Sequence, residues 1–249
     1  MNFEQKTVGE IAAEYPAAIR VFERLRIDYC CGGATPLASA CTDAGITLNE
    51  LSNELQNAVS TPVADAIDFA SMTAIDIANH IIETYHRYTR EELVTLRALA
   101  EKVAMVHRTR HSEVVTVDML VRALEEDLLP HLMKEEVMLF PYVEQLERGE
   151  TPNACFATVQ APVRVMMMEH ETVGELLRQL RATTDGFTTP PDACFSYREL
   201  YRRLGEFEAA THQHIHIENN IYFPRALQLE EAVAGCESPL ACAAAHEGF

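Results

Sequence analysis

Four stretches of the chain repeat apolar residues at intervals of three and four, the spacing that lines one face of a helix. The first stripe runs Ile75, Ile82, His86, Leu93, Leu96, Ala100, Val103 and the second Val117, Val121, Leu124, Leu128, His131, Glu135, Met138, Tyr142. A shorter third comprises Val163, Met167, His170, Gly174, Leu177, and the fourth Leu200, Leu204, Phe207, Thr211, His214, Glu218, Ile221. Breaks are expected at 109–116, at 148–162, where Gly149, Pro152 and Pro162 gather, and at 183–193, with Gly186, Pro190 and Pro191. Four stripes with three connections predict an all-α fold whose main body is an up-down-up-down four-helix bundle.

Ahead of the first stripe, Thr7-x-x-Glu10 and Thr47-x-x-Glu50 read as capping boxes of short helices, with Cys30-Cys31-Gly32-Gly33 as a turn between them. The segments are therefore a small helical N-terminal domain over 1–58, a linker over 59–72 around Pro62, the bundle over 73–230, and a mobile tail over 231–249.

Each stripe should be apolar, yet each carries a histidine, and two carry a glutamate four residues later. His131 and Glu135, like His214 and Glu218, then share one helical face. A carboxylate buried among apolar side chains is costly unless paired or metal-bound. Depth sharpens the point. At ~1.5 Å per residue, His86, His131, Glu135, His170 and His214 with Glu218 all fall roughly 20–30 Å below one end of the bundle. Six nitrogen and oxygen donors in one layer exceed the four that a single zinc needs. Imidazole with carboxylate and no thiolate suits iron or manganese as well as zinc. The set predicts two metals with two histidines each, bridged by both glutamates and a solvent-derived oxo group.

The remaining histidines and thiols are weighed the same way. His107 lies about 31 Å along its helix from His86 and reads as an end-of-core or surface residue. His212 and His216 form an i, i+4 pair off the fourth stripe and are expected on a solvated face. His80, His111 and His246 carry no spacing signal, and Met166, Met167 and Met168 read as core packing. Adjacent cysteines bond to each other only with strain, so Cys30 and Cys31 are expected as free thiols. They are redox or iron-relay candidates, or simply two small buried residues. Cys41, Cys155, Cys194, Cys236 and Cys242 show no C-x-x-C spacing.

Charge narrows the partners. With 38 acidic against 20 basic residues and a net charge of -18, the chain is expected to bind neither nucleic acid nor an anionic membrane. No apolar run approaches the ~18 residues of a membrane span. The start, MNFEQKTVGE, lacks the pattern of a signal peptide, so a cytoplasmic location and reduced thiols are expected.

Four longer motifs are familiar together: Tyr15-Pro-Ala-Ala-Ile-Arg-Val-Phe-Glu23, Asp28-Tyr-Cys-Cys-Gly-Gly33, His131-Leu-Met-Lys-Glu-Glu136 and Glu218-Asn-Asn-Ile-Tyr-Phe-Pro-Arg-Ala226. With them the chain resembles the repair-of-iron-centres family (YtfE/ScdA type) from about Thr7 to Leu227. The resemblance implies an ScdA-like N-terminal domain, a hemerythrin-like domain with a non-haem di-iron centre, and a homodimer. It also implies a cytoplasmic role restoring iron–sulfur clusters damaged by nitrosative and oxidative stress. The same six ligands carry over by position. Hemerythrin has a second histidine on the third helix where this chain has Gly174, which argues against an oxygen carrier.

Three functions follow as alternatives: iron donation to damaged iron–sulfur proteins, nitric oxide binding or reductase-like turnover at the di-iron centre, and sensing. Repair ranks first because gas storage needs no cysteine-bearing N-terminal domain. Sensing ranks last for want of an output domain.

Overall fold

The computed structural model describes residues 3–60, 67–152, 154 and 156–236. Among them there is no strand, only one isolated bridge between Thr7 and Pro36. The chain makes a small helical head and a long helical bundle.

The head holds α1 (Val8–Glu14), α2 (Ile19–Leu25), α3 (Leu37–Ala44) and α4 (Leu48–Val59). Both expected capping boxes form: the Thr7 and Thr47 hydroxyls accept from the amides of Glu10 and Glu50, whose carboxylates accept in return from the two threonine amides. Phe3, Val8, Ile11, Phe22, Tyr29, Leu37, Leu51 and Leu55 fill a core of the head's own.

The bundle has four rods, each interrupted or unbroken according to sequence. Rod one joins α5 (Ala74–His80) to α6 (Arg87–His107) through a π-helical turn, Ile81–His86. Rod two joins α7 (Glu113–Lys134) to α8 (Phe140–Glu147) through a second π turn, Glu135–Leu139. Rod three is α9 (Gln160–Thr183) alone. Rod four joins α10 (Phe195–Ile217) to α11 (Phe223–Cys236) through a third, Glu218–Tyr222. Packing of α6 on α7 and α10, and of α9 on α7 and α10, closes the bundle.

The π turns have a covalent cause in rods two and four. Each is followed by Phe-Pro, Phe140-Pro141 and Phe223-Pro224. A proline inside a helix has no N–H to donate and its ring crowds the carbonyl four residues back, so the preceding turn widens by one residue. The widening moves the buried positions away from strict 3–4 spacing. Ile77 and Ile81 are buried in place of Ile75 and Ile82; Leu139 and Phe140 replace Met138; Tyr222 and Phe223 replace Ile221. Pro130 sits inside α7 without ending it, on the exposed side.

Two further expectations are corrected. Of the methionine run only Met166 is buried; Met167, placed in the third stripe, and Met168 are exposed. His216 is buried and His212 only part-exposed, because the head covers the face taken to be solvated. The segment after Glu231 begins as helix, since α11 continues to Cys236. The rest of the tail, residues 61–66 of the linker, His246, Cys155, Cys242 and the side chain of Cys236 lie outside the described residues.

The bundle interior is split. One apolar cluster gathers Leu93, Leu96, Leu124, Leu177, Leu204 and Phe207; another gathers Ile77, Ile81, Leu139, Val163, Tyr222 and Phe223. Between them lies a polar layer.

Candidate metal centre

That layer consists of His86, His131, Glu135, His170, His214 and Glu218, all essentially buried. Each π turn presents one of them: Glu135 and Glu218 open theirs, and His86 closes its own. The donors fall into two groups, His86, Glu135, His214 and Glu218, and His131, Glu135, His170 and Glu218, with all ligand atoms of a group within 4.8 Å of one another. Both glutamates belong to both groups. The contacts are His86 Nε2 to Glu135 Oε2 at 3.4 Å, His131 Nε2 to the same oxygen at 3.4 Å, His170 Nε2 to Glu218 Oε2 at 3.2 Å and His214 Nε2 to Glu218 Oε1 at 2.8 Å.

The outward nitrogens are held by residues adjacent in sequence to other members of the layer. His86 Nδ1 donates to Glu136 (2.7 Å), His131 Nδ1 to Glu169 (2.9 Å) and His170 Nδ1 to Asn219 (2.8 Å). This turns Nε2 of all three rings to the centre, where it can bind a cation once the ring is neutral; without one, the His131 and His170 Nε2 atoms lie 3.0 Å apart and share a proton. Glu136, Glu169 and Asn219 were not singled out in the sequence; their only signal is adjacency to Glu135, His170 and Glu218. Phe140 stacks on His86, Phe223 on His170 and Tyr85 on His214, so the rings are walled by aromatics.

The layer fits cations better than it fits itself. His86 Nε2, both oxygens of Glu135 and Glu218 Oε2 are buried with no hydrogen-bond partner among the described residues. An orphaned buried polar atom costs on the order of 1–3 kcal/mol, more when charged. Burial alone would lower the His86 and His170 imidazoles. Contacts with Glu135 and Glu218 outweigh it and push them up to about 10 and about 9. Burial and the neighbouring His86 lower His214. Burial opposes ionisation of Glu218, yet the imidazoles of His214, His170 and His86 hold it well below the carboxylate range. In the absence of a cation, then, the layer draws protons into the places where ions would sit.

The head reaches this layer directly. Asn219 Nδ2 donates to the carbonyl of Cys30 (3.3 Å), while Asn220 Nδ2 donates to the carbonyls of Tyr29 and Cys30. Asn220 is wedged between Gly9 and Gly33, where a Cβ at either position would overlap its side-chain oxygen. His212 Nδ1 meets Glu23 at 3.1 Å, and Tyr29 donates to the same carboxylate at 2.8 Å. Burial lowers His216, packed against Tyr29, to about 4.

Cys30 and Cys31 are free thiols with sulfurs 3.9 Å apart. Cys30 S–H donates to Cys31, which raises the first thiol and lowers the second. Asp28 Oδ1 accepts the amides of Cys30, Cys31 and Gly32, and with both sulfurs forms a third donor group. The group borders a cavity of about 370 Å³ between head and bundle, also lined by Arg178, Arg181 and Gly174. A Cβ on Gly174 would lie 3.4 Å from Cys31 Sγ, so the head fills the place of a larger side chain there. His107 lies apart, at the end of α6, with Nε2 3.2 Å from Cys194 Sγ.

Residues 77–226 match the hemerythrin family, described as a hemerythrin HHE cation binding domain, and residues 4–59 match ScdA_N, described as a domain of unknown function (DUF542). A protein of Haemophilus influenzae named as a probable iron-sulfur cluster repair protein is 34% identical over 228 residues, 91% of this chain and 99% of its own. The "Iron-sulfur cluster repair protein YtfE" of Escherichia coli O81 and that of Escherichia coli O1:K1 are each 34% identical over 227 residues, with the same coverage.

Proposed function

The chain belongs to the iron–sulfur cluster repair family of hemerythrin-domain proteins, and on that premise we propose that it restores damaged iron–sulfur clusters by donating iron. The iron is held as a pair by His86 and His214 on one side and His131 and His170 on the other, with Glu135 and Glu218 bridging. The observation that carries this reading is the sharing of both glutamates by two four-donor groups. Iron is the cargo here. Imidazoles bind it only when neutral, so each ion taken up displaces protons and each ion released is replaced by them.

Cys30, Cys31 and Asp28 serve as the exit station. Thiolate donors suit iron, Cys31 is the more readily ionised of the pair, and the adjoining cavity gives the station access to a recipient. Damaged iron–sulfur proteins are the partners.

The test is reactivation. Iron-loaded protein is expected to restore activity to an enzyme whose cluster has been damaged by nitric oxide or peroxide, and the His131→Ala/Glu135→Ala variant is expected to hold little iron and restore nothing. If metal-free protein works as well as loaded protein, donation is wrong. A second reading, nitric oxide binding at the same ions, is favoured by the donor count: four protein atoms per group leave room for a small ligand. A nitrosyl absorption on titrating reduced protein with nitric oxide supports it.

A further inference from the structure

The two glutamate-bearing rods share a repeated pattern. His131, Glu135, Phe140 and Pro141 recur at the same spacing as His214, Glu218, Phe223 and Pro224. In that register Leu139 stands opposite Tyr222. Both side chains are buried in the same apolar cluster, so packing at this position is satisfied by a hydrocarbon, and the fold does not call for a hydroxyl.

The hydroxyl of Tyr222 is buried and has no hydrogen-bond partner among the described residues. Such a group is normally paired, because it gives up its water on folding. The other partnerless side-chain atoms around it, His86 Nε2, Glu135 Oε1 and Oε2 and Glu218 Oε2, belong to the metal layer. Tyr222 lies four residues from Glu218 on the same π turn, so the two project from one face. Its ring meets Phe140 edge-on with centroids 5.2 Å apart, and Phe140 in turn stacks on His86 at 5.7 Å. After burial, the charges of Glu135 and Glu218 press hardest on its phenol and keep it protonated, a donor.

We propose that Tyr222 is a ligand-positioning residue of the metal centre: its hydroxyl donates a hydrogen bond to a small non-protein ligand, water-derived or anionic, held there. The inference rests on the metal-binding reading given above. It assigns the hydroxyl that the matching position of the other rod lacks, and it makes the two halves of the layer unequal. A small ligand with an acceptor atom is favoured beside Tyr222 over the Leu139 side.

The experiment compares Tyr222→Phe with the parent protein in both metal states. Iron content is measured first, and its absence from the parent counts against the metal centre itself rather than against Tyr222. Without metal, the variant should melt at the same temperature or higher, since the hydroxyl it loses had no partner. A fall beyond about 2–4 °C, the equivalent of one lost hydrogen bond in a chain of this size, or failure to fold, would show a structural partner and overturn the proposal. With iron bound and oxidised, azide is the probe. Its dissociation constant, normalised to iron content, should rise about tenfold, which is about 1.4 kcal/mol. Azide binding unchanged in Tyr222→Phe also overturns it. Leu139→Val should do the reverse, lowering the melting temperature while leaving azide affinity unaltered.

Discussion

The thiol of Cys31, in the head, lies with its sulfur 3.6 Å from the carbonyl oxygen of His170, in the bundle. These residues are 139 apart in sequence, and the contact exists because Gly174, one turn after His170, leaves the helix surface open. The head is therefore a wall of the buried layer. Its grip runs through Asn219, which donates to Cys30 with one end and accepts from His170 with the other.

Asn219→Ala is expected to weaken both attachments at once. His170 loses the acceptor that orients its ring, and support of this kind is typically worth 10–100-fold in metal affinity. The head loses one of its amide anchors. Iron retention against a chelator and hydrogen exchange over residues 28–33 measure the two effects. If exchange in the head rises while iron retention is untouched, Asn219 anchors the head alone.

Glu136→Gln and Glu169→Gln test the supports of His86 and His131. Glutamine can still accept a hydrogen bond but lacks the charge that raises the basicity of the imidazole. Iron affinity should fall, by less than the roughly tenfold or greater loss expected for the alanine variants. Equal losses for glutamine and alanine would mean that the charge carries the whole effect.

Gly33→Ala probes the wedge formed by Asn220. The added methyl would overlap the side-chain amide of Asn220, which can yield only by giving up its hydrogen bonds to the Tyr29 and Cys30 carbonyls, so a cost of about 1–3 kcal/mol is expected, as for overpacked cores. Urea unfolding should show the loss, and proteolysis should detach the head first. Pairing the change with Asn220→Ala should recover most of it. If the double variant is no more stable than Gly33→Ala, the overlap is not the cause.

The sequence carries the rods and the layer because each follows from a repeating interval. Leu93, Leu96, Ala100 and Val103 on α6, or Leu200, Leu204 and Phe207 on α10, keep helical spacing and are buried as that spacing predicts. Spacing fails where the backbone changes pitch. Ile82, Met138 and Ile221 were expected inside, yet Met138 is exposed and the other two are only partly buried, and all three lie on π turns. Pro141 and Pro224 were the signal for two of those turns; the turn at Ile81–His86 has no proline after it. Contacts between the head and the bundle have no interval at all. Nothing in His212-x-x-x-His216 distinguishes a solvated face from one covered by Tyr29 and Glu23, because the cover comes from residues almost 190 positions away.

The metal-free protein should be least tolerant of alkali, and metal should reduce that sensitivity. His86 and His170 titrate near 6.5 when unfolded and at about 10 and about 9 when folded without metal. A raised imidazole stabilises the fold fully below the unfolded value, and its contribution is lost as pH rises through the folded one. His216, lowered to about 4, acts in the opposite sense, as does the lowered His214: their burial as neutral rings costs stability when pH falls below about 6.5. Stability of the metal-free form should therefore peak near pH 6.5 and decline toward pH 10. With metal bound, His86 and His170 are already neutral ligands in the folded state, so their share of the alkaline decline should disappear; the share of His212, raised by Glu23 against burial, and the acid limb remain. Urea midpoints at pH 6.5 and 9.5, with and without metal, decide it: a metal-free protein equally stable at both pH values would mean that the layer holds no such protons.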